Sequence, residues 1–276
     1  SHWGSLGVSG VVASPDTAVD PEALILLTAV IGEHDPRLQG EALDWCSQFA
    51  RRFIAAGRLK ALAKRLDNES ASRVHAFAAV VNEMAGTHWA SGAMSTRRVK
   101  LSGKSRLTSL DTAPRSLLRL RCVFGVNARA EILLWMITQW NPSHYVVASA
   151  LTELGYVKSA IAATLDDLTL AGITRRRSIG NANAFSLKHP GELRGLLEPL
   201  PLQSGQWHVR MPLLIAAVRL EESIHSKPSI VKSVEGRKFV DDHADVIARL
   251  ALTVPPVTSP AAFWEDLRRA MLAWFR

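Results

Sequence analysis

Cysteine is nearly missing from this 276-residue chain: Cys46 and Cys122 are the only two, far apart and outside any CxxC pair. A disulfide framework and a paired-cysteine metal site are therefore excluded. Long apolar runs are missing too. The longest, from Ala23 to Ile31, contains Thr28 and is half of the roughly 18 to 20 residues that cross a bilayer, so no membrane partner is expected. The first twenty residues lack the basic start and apolar stretch of a secretory signal. Gly, Ser and Val dominate them, and residues 1–20 are expected to be a flexible segment outside the fold. The expected compartment is cytoplasmic. Motifs of nucleotide and hydrolytic chemistry are equally scarce, with no GxGxxG, GxxxxGK[ST], HExxH or GxSxG. The nine histidines stand singly, and the one acidic and histidine cluster, Asp241, Asp242, His243 and Asp245, reads as a solvated helix face or helix start. An enzyme is not expected, and no catalytic residue, cofactor or metal ligand is assigned.

What is present is apolar material for more than one core, at 47% hydrophobic and 21% charged residues, over a length that suggests about two domains. Residues 21–96 read as a helical domain. Asp20, Pro21 and Glu22 supply a cap, a first-turn proline and a first-turn acid. Further helices are expected from Asp35 and Pro36 to a stop at Gly57, from about Arg58 to Leu66, and from Asn68 or Glu69 to Met84, with Gly86 ending the last. Residues 97–112 read as a basic linker. From 191 to 276 a helical region is expected, with helices near 205–224, near 230–252 and from Ser259 to Phe275. Its last helix carries Phe263, Trp264, Leu267, Met271, Trp274 and Phe275, a candidate dimer interface or, equally, a core face.

The net charge of +8 is unevenly placed. Residues 97–121 hold 8 Lys/Arg against 1 Asp/Glu, while the flanks are close to neutral. Arg97, Arg98, Lys100, Lys104 and Arg106 open this stretch, and Arg115, Arg119 and Arg121 close it. Such a concentration suits a polyanion, because each cation placed on a phosphate releases condensed counterions. The bland alternative is a solvated loop.

Residues 113–190 carry the most specific pattern. Asn127 caps a helix with Ile132, Leu133, Trp135, Met136 and Ile137 on its apolar face. After Asn141 and Pro142, Ser143 is expected to cap a second helix through Leu154, with Val146, Ala150, Leu151 and Leu154 inward. Gly155 and Tyr156 make a tight turn, and a third helix bearing Ile161, Leu165 and Leu168 runs to Gly172. Two strands, ITRRRSI and AFSLK, follow around a turn at Gly180 to Asn183. Three helices and a hairpin in this order resemble the winged helix-turn-helix DNA-binding domains of bacterial regulators of the ArsR and MarR type. The resemblance covers about 75 residues and is closest in ASALTELGYVKSAIAATLDDLTLAGITRRR.

That resemblance implies a mainly α fold with a central winged helix between helical flanks. It makes Val157 to Ala171 a recognition helix for the major groove. Lys158, Ser159, Ala162, Ala163 and Thr164 would face the bases, and Arg175, Arg176 and Arg177 would form a wing on the backbone or minor groove. The implied function is a transcriptional regulator binding double-stranded DNA, as a homodimer, with flanks that could take a small effector. A competing reading is an antitoxin-like or adaptor protein whose helical domains clasp a protein partner, with the winged helix auxiliary.

Overall fold

The computed structural model describes residues 2–11, 17–92, 100–107, 109–139, 145–201, 206–257, 259 and 261–275. The chain is mainly helical with one small antiparallel sheet, and it divides into a unit of residues 1–208 and a unit of residues 209–276.

In the first unit the segment expected to be flexible is packed where it is described, at residues 2–11 and 17–20. Helix α1 (His2–Ser5) and the turn after it bury Trp3 and Leu6. The reason is polar as much as apolar: Trp3 Nε1 donates to Thr28 Oγ1 at 2.8 Å, and Trp45 Nε1 donates to the Leu6 carbonyl at 2.8 Å, so both indoles bury without an orphaned donor. Helix α2 (Pro21–Ile31) starts where Asp20 accepts from Ala23 N at 3.1 Å and is buried from Pro21 through Val30. Helix α3 (Pro36–Phe53) is capped by Asp35 but ends before the expected stop at Gly57. Ile54 is extended, and Ala55 turns its N–H to Glu22 Oε1 at 2.7 Å, so a tertiary contact ends the helix. Gly57 instead lies inside α4 (Ala56–Ala63). Helix α5 (Asn68–Ala85) is capped by Asp67 and ends at Gly86, which takes the left-handed conformation that glycine tolerates.

The segment expected to be a linker is docked where it is described. Gly103 N and Ser105 N donate to the Asp44 carboxylate of α3 at 2.6 and 3.0 Å, and Ser102 Oγ donates to Glu41 at 3.0 Å. Burial acts to raise the Asp44 pKa, yet the hydrogen bonds from Ser105, Gly103 and Ser102 hold it below the ordinary value. Arg97 and Arg98 lie outside the described residues.

A 3-10 turn at Ala113–Arg115 leads into α6 (Ser116–Phe124) and then α7 (Ala128–Thr138), whose cap Asn127 accepts from Arg129 N at 2.9 Å. The expected helix through Leu154 is not formed as such. Ser143 and His144 lie outside the described residues, Val146 and Val147 form the two-residue strand β1, and Ala148–Leu154 is 3-10 helix. The β-branched pair fits a strand edge, and a strand partner arrives from later in the chain. Gly155, at φ +94°, leads to α8 (Lys158–Leu170), then β2 (Thr174–Ile179) and β3 (Ala182–Leu187). The sheet order is β1-β3-β2, with Val146 opposite Phe185 and Arg176 opposite the same Phe185. The β2–β3 turn is two residues, Gly180 and Asn181, because Ile179 pairs with Ala182. A core of Leu120, Ile132, Leu133, Leu151, Ile161, Leu165 and Phe185 fills this part. Helix α9 (Pro190–Leu196) adds Leu193 and Leu196, and Leu197 follows it, so the packed region continues past residue 190.

The second unit is built from α10 (Trp207–Ile224), which begins at the boundary, and α11 (Ser229–Asp242), α12 (Ala244–Arg249) and α13 (Phe263–Phe275). The helix expected over 230–252 breaks at His243, whose ring tilts onto Phe239 with Nδ1 2.9 Å from the Phe239 carbonyl. Phe263, Trp264, Leu267 and Met271 are buried in this unit's core, so core packing accounts for these four residues of the α13 face. Gly236 permits it: a Cβ there would come within 2.9 Å of the Trp264 ring.

Candidate nucleic-acid interface

The surface formed by α8 and the β2–β3 ribbon rests on a buried ionic cluster that joins it to the helices before it. Arg58 of α4 donates to both oxygens of Asp20, to Glu22 Oε2 at 2.8 Å and, through Nε, to the Leu154 carbonyl at 2.6 Å. Arg121 of α6 is shared between Glu22 (2.9 Å), Glu131 of α7 and the Phe53 carbonyl. Both guanidiniums are almost wholly buried, Arg58 at 2% and Arg121 at 2% exposure. Three carboxylates therefore enclose two guanidiniums, one negative charge in excess. The titrations divide accordingly. Burial would raise Asp20, but the charge and hydrogen bonds of Arg58 hold it at about 2. For Glu22, burial outweighs Arg121 and Arg58 and the pKa rises. Tyr156 is also pushed upward, by burial and then by the charge of Glu131.

This cluster was not expected from the sequence, and its consequence is positional. Arg65, seven residues on from Arg58 and just past the end of α4, donates to the Thr152 and Glu153 carbonyls at 3.1 Å each. Leu62 sits 3.2 Å from where a Cβ on Gly155 would be. The carbonyls at the end of the 3-10 segment, which α8 leaves unpaired, are thus satisfied by arginines of and beside α4. The start of α8 is held from behind, and its opposite face is left to solvent.

On that face Lys158, Ser159 and Ala163 are exposed, while Ala162 and Thr164 are half-buried. Ala162 packs against the core, and the Thr164 hydroxyl donates back to the Ala160 carbonyl at 2.8 Å, so neither is freely presented. The ribbon is more open, since Arg175 through Asn183 are all exposed. Opposite residues in an antiparallel pair share a face, which sorts the three arginines. Arg176, opposite the core residue Phe185, reaches Asp166 of α8 at 3.2 Å. Arg175 and Arg177 occupy the other face beside Tyr145, with guanidinium carbons 5.6 and 3.7 Å from its ring centre. Arg129 of α7 pairs with Asp167 at 2.7 Å. Both acids of the recognition-helix candidate are therefore paired with arginines, and Tyr145 is an unanticipated member of the surface. Its only sequence signal is the run of strand-forming residues Tyr145, Val146 and Val147.

The basic stretch behaves differently. Arg121 is in the buried cluster, Arg115 donates to the Ser5 and Ser109 carbonyls, and Arg119 donates to the Glu198 carbonyl at 3.1 Å. Arg106 is exposed but donates to the Gly103 and Ser105 carbonyls at 2.8 and 3.0 Å. Lys100 and Lys104 are exposed. No protein-family model, curated protein or solved structure matches the chain.

Proposed function

We propose that the chain is a transcriptional regulator that binds double-stranded DNA through residues 113–190 used as a winged helix-turn-helix, acting as a homodimer on two half-sites. The observation that carries this reading is the pair Arg175 and Arg177, side by side on one face of an exposed ribbon and supported by Tyr145. Two cations stacked on an aromatic ring keep all their outward donors for phosphate oxygens or a narrow minor groove. Lys158 and Ser159, at the exposed start of α8, would enter the major groove. With one cation and no Arg, Asn or Gln among those positions, direct base readout is thin, and affinity comes chiefly from the backbone.

Binding of the full chain to duplex DNA, followed by fluorescence anisotropy across a salt series, tests this. The expected result is a steep fall in affinity with salt, and a shallower slope when Arg175 and Arg177 are replaced by Ala. No binding to mixed-sequence or genomic duplex at low salt would overturn it. The reading as an adaptor or antitoxin-like protein draws on one feature of the second unit, an apolar groove of about 240 Å³ between α10 and α13 lined by Leu214, Met271 and the exposed Leu272. Stoichiometric co-purification of a protein partner with no DNA affinity would favour it.

A further inference from the structure

The helices behind α8 enclose a cavity of about 350 Å³, at the small end of the roughly 300 to 1,000 Å³ typical of small-molecule sites. Its walls are apolar: Ile25 of α2, Leu59 of α4, and Val74 and Phe77 of α5. Trp89 closes one side. The chain after α5 folds back, and Asn82 grips it in both directions, donating to the Trp89 carbonyl at 2.9 Å and accepting from Trp89 N at 2.8 Å. Thr87 Oγ1 adds a donor to the same Asn82 oxygen at 2.8 Å. The indole is therefore a fixed wall rather than a loose loop residue.

Charge at this cavity has one sign. Lys60 of α4 and Lys64 at its C-terminal cap, four residues apart, line it together, and among the described residues no carboxylate does. Both lysines are exposed, and neither has an ion-pair partner among the described residues. His75 and Asn68 are the remaining polar liners. An apolar chamber of this size beside two exposed ammonium groups matches a small molecule with an apolar body and a single carboxylate.

α4 has a second task on its other side. Leu59, Lys60, Ala63 and Lys64 line the cavity, while Arg58, Leu62 and the adjoining Arg65 hold Leu154, Gly155 and the Thr152 and Glu153 carbonyls. One short helix thus separates the cavity from the segment that positions α8.

We propose that this cavity binds a small apolar carboxylate, of the size of an aromatic acid or a medium-chain fatty acid, and that α4 relays its occupancy to the start of α8. The relay rests on the DNA-binding reading above; the binding site does not. A ligand that fills the cavity packs against α4, so it couples to DNA to the extent that its binding favours a placement of that helix that suits or disfavours duplex binding.

The experiment has two arms, both on the full chain. In the first, octanoate and octanol are titrated by calorimetry. Saturable one-to-one binding of octanoate, at least fivefold tighter than octanol, is expected. The double replacement Lys60→Ala and Lys64→Ala, at exposed positions that leave the fold intact, should weaken octanoate about fivefold and leave octanol unchanged. Ala71→Phe, which fills the chamber from α5, should abolish both. Absent octanoate binding, or octanoate binding that ignores the lysine replacements, overturns the site. In the second arm, duplex affinity is measured with and without saturating octanoate. A change of fivefold or more is expected, lost in Arg65→Ala while octanoate still binds. An unchanged duplex affinity overturns the relay alone. Octanoate binding with no duplex binding at all overturns the DNA reading and the relay, and leaves the carboxylate site standing.

Discussion

The two arginine-rich regions of the chain, the stretch from 97 to 121 and the triplet at 175 to 177, have similar composition and opposite fates. Among the described residues of the first, Arg121 is buried between Glu22 and Glu131, Arg115 and Arg119 are tied to carbonyls, and Arg106 folds onto its own loop. In the second, Arg175 and Arg177 stand on an exposed ribbon over Tyr145. Local charge density is set by the sequence, but whether a guanidinium faces acid or solvent is set by the element it rides on. A helix such as α6, with Leu117, Leu118 and Leu120 inward, has few positions left for a solvated side chain. A two-stranded ribbon with one open face has many. The first group holds the unit together, and the second is the group that the proposed DNA-binding reading gives to a partner.

Removing Arg121 should separate the two groups most sharply. Arg121→Met leaves Glu22 and Glu131 buried without their shared cation, and breaking a buried pair this way costs about 3 to 5 kcal/mol. Urea unfolding should register that loss, whereas Arg175→Ala with Arg177→Ala should stay within about 0.5 kcal/mol of the wild type. If both variants melt alike, the division fails. The ribbon pair should instead dominate duplex binding. Loss of two phosphate contacts lowers the salt slope by about 2 and weakens binding roughly 50-fold near 0.1 M salt. An unchanged slope in anisotropy titrations would place the contacts elsewhere.

Local signals made much of the first unit legible, and non-local ones concealed the rest. Asp20 before Pro21, Asp35 before Pro36, Asn127, and the glycines at 86 and 155 each act within a turn of their own position, so the helices they bound could be read. The 146–154 segment could not, because Val146 and Leu154 sit at spacings that suit a helix until β3 offers Val146 a strand partner 39 residues later. The ionic cluster is harder still: Glu22 and Arg121 are 99 residues apart. One signal was available, namely a single acid, Glu22, inside an otherwise apolar helix, where burial demands a cation from somewhere. For Trp3 and Leu6, Gly-rich surroundings hid two core residues.

Within the buried cluster, pH offers a smaller test. Asp20 is held at about 2, below its ordinary 3.8. Its contribution is therefore complete above about pH 4 and is lost as pH falls through about 2. Glu22 runs the other way, since its raised pKa means that the folded state holds a proton more tightly, and its contribution grows as pH falls from the raised value toward 4.5. The two partly cancel. Asp20→Asn should cost roughly 1 to 2 kcal/mol at pH 6, a difference that shrinks toward zero by pH 2 in urea titrations. A constant difference across that range would mean that the Arg58 contact is not what holds Asp20 ionised.

The smallest effect tests whether an arginine can be moved from one group to the other. Arg176 lies on the ribbon yet behaves like the buried group, because Asp166 holds it at 3.2 Å on the core-facing side. Both side chains are about half exposed, so the pair itself is worth well under 1 kcal/mol and Asp166→Asn should leave stability unchanged. What changes is the field at the surface, where one anion beside the recognition-helix candidate is removed and one guanidinium is released toward solvent. Duplex binding should tighten two- to fivefold, with a salt slope steeper by up to about 0.9, the increment for one further phosphate contact. Weaker binding in Asp166→Asn would show the opposite, that the carboxylate is needed to aim Arg176, and would move this arginine from the reserve to the working face of the ribbon.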